Sequence, residues 1–359
     1  MNDLIQDAYA VLLPAFGGLE LDDAVLRHLD RGGVSVLLGE SRDEYVARAM
    51  SDERRANESA AQFNDVVERA RRQAGGGVIV AIDQELAGIQ RLHRLAPALP
   101  GFDTARGLSA DDIAQRCAEV ARAARGLGVN LFLAPIVDVV SGINPWLERR
   151  NLGVDPHEVS RIASAFVRGV QSAGVAATAK HFPGHPVTGL DPALHEAIVS
   201  ATLDELQPGL GVFREVIGAG VKAVMTGPAL VPAFDSEAPS STSRGTVAFL
   251  REHLGFDGLV ISDDLDAPGI LRGRTVEAVA VASLAAGCDL LLVSSQAGLD
   301  TIARTVVEAV ERGALAADRL AEAARRVRTL ARELEGGHET GVDAGTHVHA
   351  NRNPGEQSS

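Results

Sequence analysis

The stretch Val175–His195, VAATAKHFPGHPVTGLDPALH, carries Lys180, His181, His185, Asp191 and His195 within one short span. It opens as an apolar run with a threonine in its middle, the pattern of a buried strand. Pro183 and Gly184 then break regular structure. The chain stays irregular to Thr202, where T-L-D-E has the form of a helix-opening capping box. A loop of that length inside a folded domain is usually functional or disordered, and this one carries too much titratable chemistry for an idle linker. Similar chemistry recurs after other apolar runs: Asp83, Gln84 and Glu85 with Arg91; Asp138, then Glu148-Arg149-Arg150; Thr226 and Gly227; Asp263 and Asp264. The set combines three cations (Arg91, Arg150, Lys180) with several carboxylates and imidazoles, and contains neither a thiolate nor a serine elbow. A metal reading would use His181 and His185, joined by Asp83 and Asp263. Pro183-Gly184 keeps those histidines from sharing a helix face, which weakens metal-dependent aldolase or amidohydrolase chemistry to an alternative. Dense hydrogen bonding from Asp, Arg, Lys and His suits sugar hydroxyls, and a carboxylate nucleophile with a proton donor is what glycoside hydrolysis requires.

These residues need a scaffold that gathers strand ends at one mouth. Apolar runs at 9–13, 34–38, 78–82, 131–137, 175–179, 221–225, 259–262 and 289–293 read as strands. Their nearly continuous hydrophobicity suits parallel strands covered on both faces. Between and after them lie helical patterns over Asp22–Asp30, Glu44–Gln73, Ala110–Leu127, His157–Ala173, Asp204–Ala219, Thr246–Leu254, Thr275–Ala286, Leu299–Arg312 and Ala316–Leu334. Eight such units predict an α/β fold, a single (β/α)8 TIM-type barrel over residues 1–334. No G-x-G-x-x-G or G-x-x-x-x-G-K-[ST] follows a strand, which removes the main argument for an open doubly wound sheet. The 335–359 tail is polar and Gly-rich and is expected to be disordered. His338, His347 and His349 there read as part of a solvated tail rather than a metal tract.

The 359 residues are 46% hydrophobic, enough for one large core. The formal net charge of -14 argues against nucleic acid and anionic membrane surfaces as partners. Cys117 lies in a helical pattern and Cys288 at a strand start. Both read as core thiols, which fits a reducing compartment. The N-terminus is a poor signal peptide and no apolar run is long enough to span a bilayer, so a cytoplasmic protein is expected.

K-H-F-P-G-H at 180–185, D-Q-E at 83–85 with Q-R at 90–91, and G-F-D-G-L-V-I-S-D-D-L at 255–265 resemble glycoside hydrolase family 3. A-P-I-V-D-V at 134–139 and A-G-C-D at 286–289 extend the resemblance, which runs from about residue 9 to 334. It is strongest toward single-domain bacterial β-N-acetylglucosaminidases. The resemblance implies that Asp263 is the catalytic nucleophile and that Asp83, Arg91, Lys180 and His181 grip sugar hydroxyls. R-N-L-G at 150–153 stands where the family has R-S-F-G, which makes Arg150 a further substrate ligand. His185 is expected to shape its turn, and Asp264 to be structural.

The family's N-acetylglucosaminidases use an Asp-x-His dyad as general acid/base, a task suited to imidazole. Here Asp191 aligns, but Ala193 stands at the histidine position and the next imidazole is His195. D-Q-E-L-A-G also replaces D-Q-E-G-G-R, so that Gly88 stands in place of an arginine. The expected function is a retaining β-N-acetylhexosaminidase that needs no metal or organic cofactor. Asp263 attacks, and His195, oriented by Asp191, handles the proton. The resemblance implies cell-wall fragments bearing terminal β-linked N-acetylglucosamine as substrate. Alternatives are a β-glucosidase-like activity, phosphate as acceptor, or a non-catalytic sugar-binding relative with a degraded dyad.

Overall fold

The computed structural model describes residues 2–336, so the histidines of the tail lie outside the described residues. Eight parallel strands form the centre: β1 (Leu12–Phe16), β2 (Ser35–Leu38), β3 (Ile79–Ile82), β4 (Leu131–Phe132), β5 (Ala176–Phe182), β6 (Ala223–Thr226), β7 (Leu259–Ile261) and β8 (Leu291–Ser294). They pair in chain order, and β8 also pairs with β1. Ile261 and Leu290 bridge in parallel where β7 meets β8, so the sheet closes on itself. The expected (β/α)8 barrel is therefore the observed one.

Period-two alternation splits each strand between two hydrophobic environments. Leu13, Leu37, Ile79, Ala81, Leu131, Met225 and Ile261 fill the barrel interior, capped at one end by Val327, Leu330 and Leu334 of helix Ala317–Gly336. Leu12, Val36, Val80, Phe132 and Val260 pack outward against the helices. Such two-sided burial explains why the strands read as unbroken apolar runs.

Where expectation and structure differ, local caps and breakers account for it. The first strand starts later than residue 9 because Asn2–Ala10 is a helix. The single helix expected over Glu44–Gln73 is three, Arg42–Ala47, Asp52–Asn57 and Ala60–Ala74, each begun by its own N-cap serine, Ser41, Ser51 and Ser59. A side-chain oxygen that satisfies free N–H groups favours starting a new helix. Regular β4 is only two residues long, because Pro135 lacks the N–H a ladder needs. The chain still runs beside β5: Thr178 N–H donates to Ala134 O (2.8 Å) and Val137 N–H to Lys180 O (2.7 Å). Among the described residues, no helix is long and apolar enough to cross a membrane.

Candidate active site

The C-terminal ends of the strands surround a cavity of about 500 Å³, a volume in the range of small-ligand sites. Asp83, Arg150, Lys180, His181 and Asp263 line it together, although they are spread over 181 sequence positions from Asp83 to Asp263. Asp191, His195 and Arg91 do not line it.

Lys180 ends the regular part of β5. Its register against β6 skips a residue, with Lys180 opposite Met225 and Phe182 opposite Thr226. Such an irregularity re-aims side chains, and here consecutive Lys180 and His181 both reach the cavity. Lys180 Nζ lies 2.6 Å from Asp83 Oδ1 and 2.9 Å from Glu85 Oε1. Arg150 clamps Glu85 through Nε (3.1 Å) and Nη2 (2.6 Å). Burial would raise the Glu85 pKa, but Arg150 and Lys180 outweigh it and hold this carboxyl well below the usual range. Lys180 is likewise kept protonated: burial opposes its charge, and Asp83 and Glu85 more than compensate. Gly88 is required here, because a Cβ at that position would stand 2.0 Å from Glu85 Oε2 and 3.0 Å from Arg150 Cγ. The Glu85–Arg150 ion pair thus occupies the space beside Gly88.

Asp138 organises the next layer. Its fully buried carboxylate accepts four hydrogen bonds: from the backbone N–H (2.9 Å) and Nδ1 (3.0 Å) of His181, and from the N–H (2.8 Å) and Nδ1 (3.0 Å) of His185. Burial alone would raise its pKa, yet the bonds from His181 and His185 hold it well below the carboxylate range. Since the neutral His181 ring donates its Nδ1–H to Asp138, its Nε2 presents a lone pair. Burial lowers the His181 pKa to about 3, so the ring is neutral. Trp146 lies over that ring at 4.2 Å between centroids and edge-on to His185 at 5.0 Å, and its Nε1–H donates to Tyr45 Oη (3.0 Å). His185 is fully buried and not in the cavity, which agrees with a turn-shaping part.

Asp263 follows β7. Its backbone N–H donates to Ser241 Oγ (3.1 Å), and its Oδ1 accepts from the Asp264 N–H (2.7 Å). Oδ2 has no hydrogen-bond partner and lies 4.0 Å from His181 Nε2. Burial raises the Asp263 pKa to about 6, against the pull of Lys180 and Arg150. A rigidly held carboxylate with one uncommitted oxygen at a cavity wall can act as a nucleophile. Asp264, expected to be structural, also lines the mouth.

Arg91 and the Asp191–His195 pair are placed away from the cavity. Arg91 is completely buried. It donates through Nε to Gly39 O (2.8 Å) and through both terminal nitrogens to Glu58 (2.7 and 2.9 Å), with its guanidinium 5.1 Å over the Phe63 ring. All three of its guanidinium nitrogens are engaged by the scaffold at the end of β2. The Asp191–His195 dyad is likewise not formed. Asp191 accepts from the Ala193 N–H (2.9 Å) and pairs with Arg48 (3.5 Å). The turn this makes leaves Ala193 facing the cavity and His195 exposed. The two-residue displacement of the histidine is absorbed as a tight turn, closed by Leu194 and His195 N–H groups on Asp191 O, and not as an outward bulge.

Glu40, Tyr45 and Trp146 line the cavity without having stood out in the sequence. Trp146 had a signal, as the single tryptophan of the chain in a loop beside Arg150. Glu40 and Tyr45 follow the short β2, where no motif marks them.

Comparison with known proteins agrees with this geometry. The glycosyl hydrolase family 3 N-terminal domain model matches residues 25–330. A beta-hexosaminidase of Stenotrophomonas maltophilia (strain K279a) is 34% identical over 295 residues, 77% of this chain and 88% of that protein. A Cellulomonas fimi beta-N-acetylglucosaminidase/beta-glucosidase is 32% identical over 259 residues, 67% of this chain and 44% of that one. The structure of a family 3 beta-N-acetylglucosaminidase from Paenibacillus sp. str. FPU-7 superimposes with a TM-score of 0.81 at 30% identity, covering 97% of this chain and 64% of that chain. With its barrel, its strand-end carboxylates and this match over most of its length, the chain belongs to glycosyl hydrolase family 3.

Proposed function

We propose that the protein is a retaining β-N-acetylhexosaminidase that removes terminal β-linked N-acetylglucosamine, with cell-wall fragments as its natural glycans. The observation that carries this is the unpaired Oδ2 of Asp263 in the same cavity as the Asp83–Lys180–Glu85–Arg150 network. Asp83, Arg150, Lys180 and His181 bind ring hydroxyls. Asp263 attacks the anomeric carbon, forming a glycosyl ester while the bond to the leaving oxygen breaks. Water then cleaves the ester and regenerates the carboxylate. A cytoplasmic place of action fits the two free, buried thiols Cys117 and Cys288.

The test is turnover of an aryl β-N-acetylglucosaminide, followed by trapping with a 2-fluoro glycosyl donor. A label on the peptide containing Asp263 supports the proposal, and a label elsewhere overturns it. The pH dependence follows from the same residue. Asp263 must be ionised to attack, and its pKa is raised to about 6. The kcat/KM should therefore fall about tenfold per pH unit on the acid side of that value, whereas an ordinary carboxylate would hold activity to lower pH.

Departure of the leaving group needs a proton, and His195 lies outside the cavity with Asp191 held by Arg48. His195→Ala is expected to leave kcat/KM for alkyl β-N-acetylglucosaminides within about twofold. A drop of about 10²-fold or more, confined to such poor leaving groups, would instead show that the segment rearranges to deliver the imidazole. The unformed dyad also favours a second reading, a sugar-binding relative without catalysis. Binding of N-acetylglucosamine with no turnover of any aryl glycoside would establish that alternative.

A further inference from the structure

Glu40 stands directly after β2 on the wall of the cavity, and nothing in the mechanism above uses it. Its backbone is fixed on both sides. Gly39 donates its N–H to Phe16 O (2.9 Å) and accepts from Arg91 Nε (2.8 Å), while Ser41 forms a capping box with Glu44. The side chain is half-buried, and its Oε2 is fully enclosed with no hydrogen-bond partner. An enclosed, unpaired oxygen of this kind is destabilising, and no contact among the described residues offsets it. β2 pairs with β3, the strand that delivers Asp83 and Glu85, and is separated from β7 by β1 and β8 on one side and by β3 to β6 on the other. Glu40 thus belongs to the part of the mouth that grips the sugar, not the part that breaks its bond.

We propose that Glu40 is a specificity-determining residue, its carboxyl exchanging hydrogen bonds with a ring hydroxyl of the substrate at the side of the site away from Asp263. The inference rests on the glycosidase reading above. The charge balance supports it. Asp83 and Glu85 face Glu40 from β3, with Arg91 beyond them, Arg150 from the loop after β4 and Lys180 from β5. Lys180 and Arg150 already serve Asp83 and Glu85, and Arg91 serves Glu58. A further negative charge is therefore unmatched: burial, then repulsion from Asp83 and Glu85, raises the Glu40 pKa to about 8. At neutral pH the group is a protonated carboxyl, able to donate and accept at once, as a sugar hydroxyl can.

The experiment measures kinetics on an aryl β-N-acetylglucosaminide and on analogues each lacking one hydroxyl. Glu40→Ala should raise KM about tenfold with kcat within about threefold, as expected for an interaction made equally in ground and transition states. Glu40→Gln, which keeps a donor and an acceptor, should restore most of that affinity. The alanine penalty should disappear on one deoxy analogue and persist on the others. Wild-type KM should rise above about pH 8, and the rise should be absent in Glu40→Gln. An unchanged KM in Glu40→Ala, or an equal penalty on every analogue, would overturn the proposal. Should the wild type turn over no glycoside, the glycosidase reading fails separately. Calorimetric titration with N-acetylglucosamine then decides the role of Glu40: about tenfold weaker binding by Glu40→Ala supports it, and equal binding overturns it.

Discussion

Asp263→Ala should lower kcat/KM by about 10⁴-fold or more, the scale of removing a group that forms a covalent intermediate. The loss should lie in kcat. Asp83, Arg150, Lys180 and His181 form their network without Asp263, so binding of N-acetylglucosamine should stay within a few-fold of wild type. The substitution should not unfold the protein: Asp263 Oδ2 has no partner to lose, the backbone N–H to Ser241 Oγ remains, and only the Asp264 N–H loses its side-chain acceptor. Azide supplied to the variant should restore part of the turnover of an activated aryl glycoside and yield the α-configured glycosyl azide. That product arises by a single attack from the face the carboxylate had occupied. Residual turnover within about tenfold of wild type would remove Asp263 from the reaction, leaving Asp264 beside it as the next carboxylate to test.

Asp138→Ala should have the second-largest effect, and on stability as well as activity. The carboxylate satisfies two backbone N–H groups and two imidazole N–H groups in a fully buried place. Removing it leaves four donors without partners, and each buried orphan costs about 1–3 kcal/mol. Even with relaxation, a loss of about 3 kcal/mol or more is expected, seen as a lower midpoint in urea. Asp138→Asn separates the two roles. The amide fills the space and accepts from one imidazole, but its NH₂ cannot accept from the other. One ring must then turn or change tautomer. Part of the stability should return, while kcat/KM stays about 10²-fold down if His181 is the displaced ring. An Asn variant as active as wild type would show that the tautomer of His181 is immaterial.

Much of the scaffold was legible in the chain. Strands buried on both faces must be apolar throughout, so all eight could be seen as runs, and the polar residues closing them were visible as a set. Asp83, Arg150, Lys180, His181 and Asp263 follow from that logic, because a parallel barrel delivers its strand ends to one mouth. Helix breaks between 42 and 74 were legible in principle, through Ser41, Ser51 and Ser59, but a long amphipathic pattern masks caps whose cost is only about 1 kcal/mol. That Arg91 is engaged away from the cavity was not legible, for a different reason. A motif position states where the backbone passes, while the burial of a guanidinium depends on a partner, here Glu58, that lies 33 residues away in sequence.

Sequence alone determined the barrel and which side chains its rim could offer, since hydrophobic period and strand-end chemistry are local properties. Only the tertiary structure decided which of them meet. Arg48 captures Asp191, the turn from Asp191 leaves His195 in solvent, and Glu40 comes to rest beside two carboxylates already paired. Those outcomes depend on competition among charges brought close by folding, where the strength of each interaction is set by distance and burial.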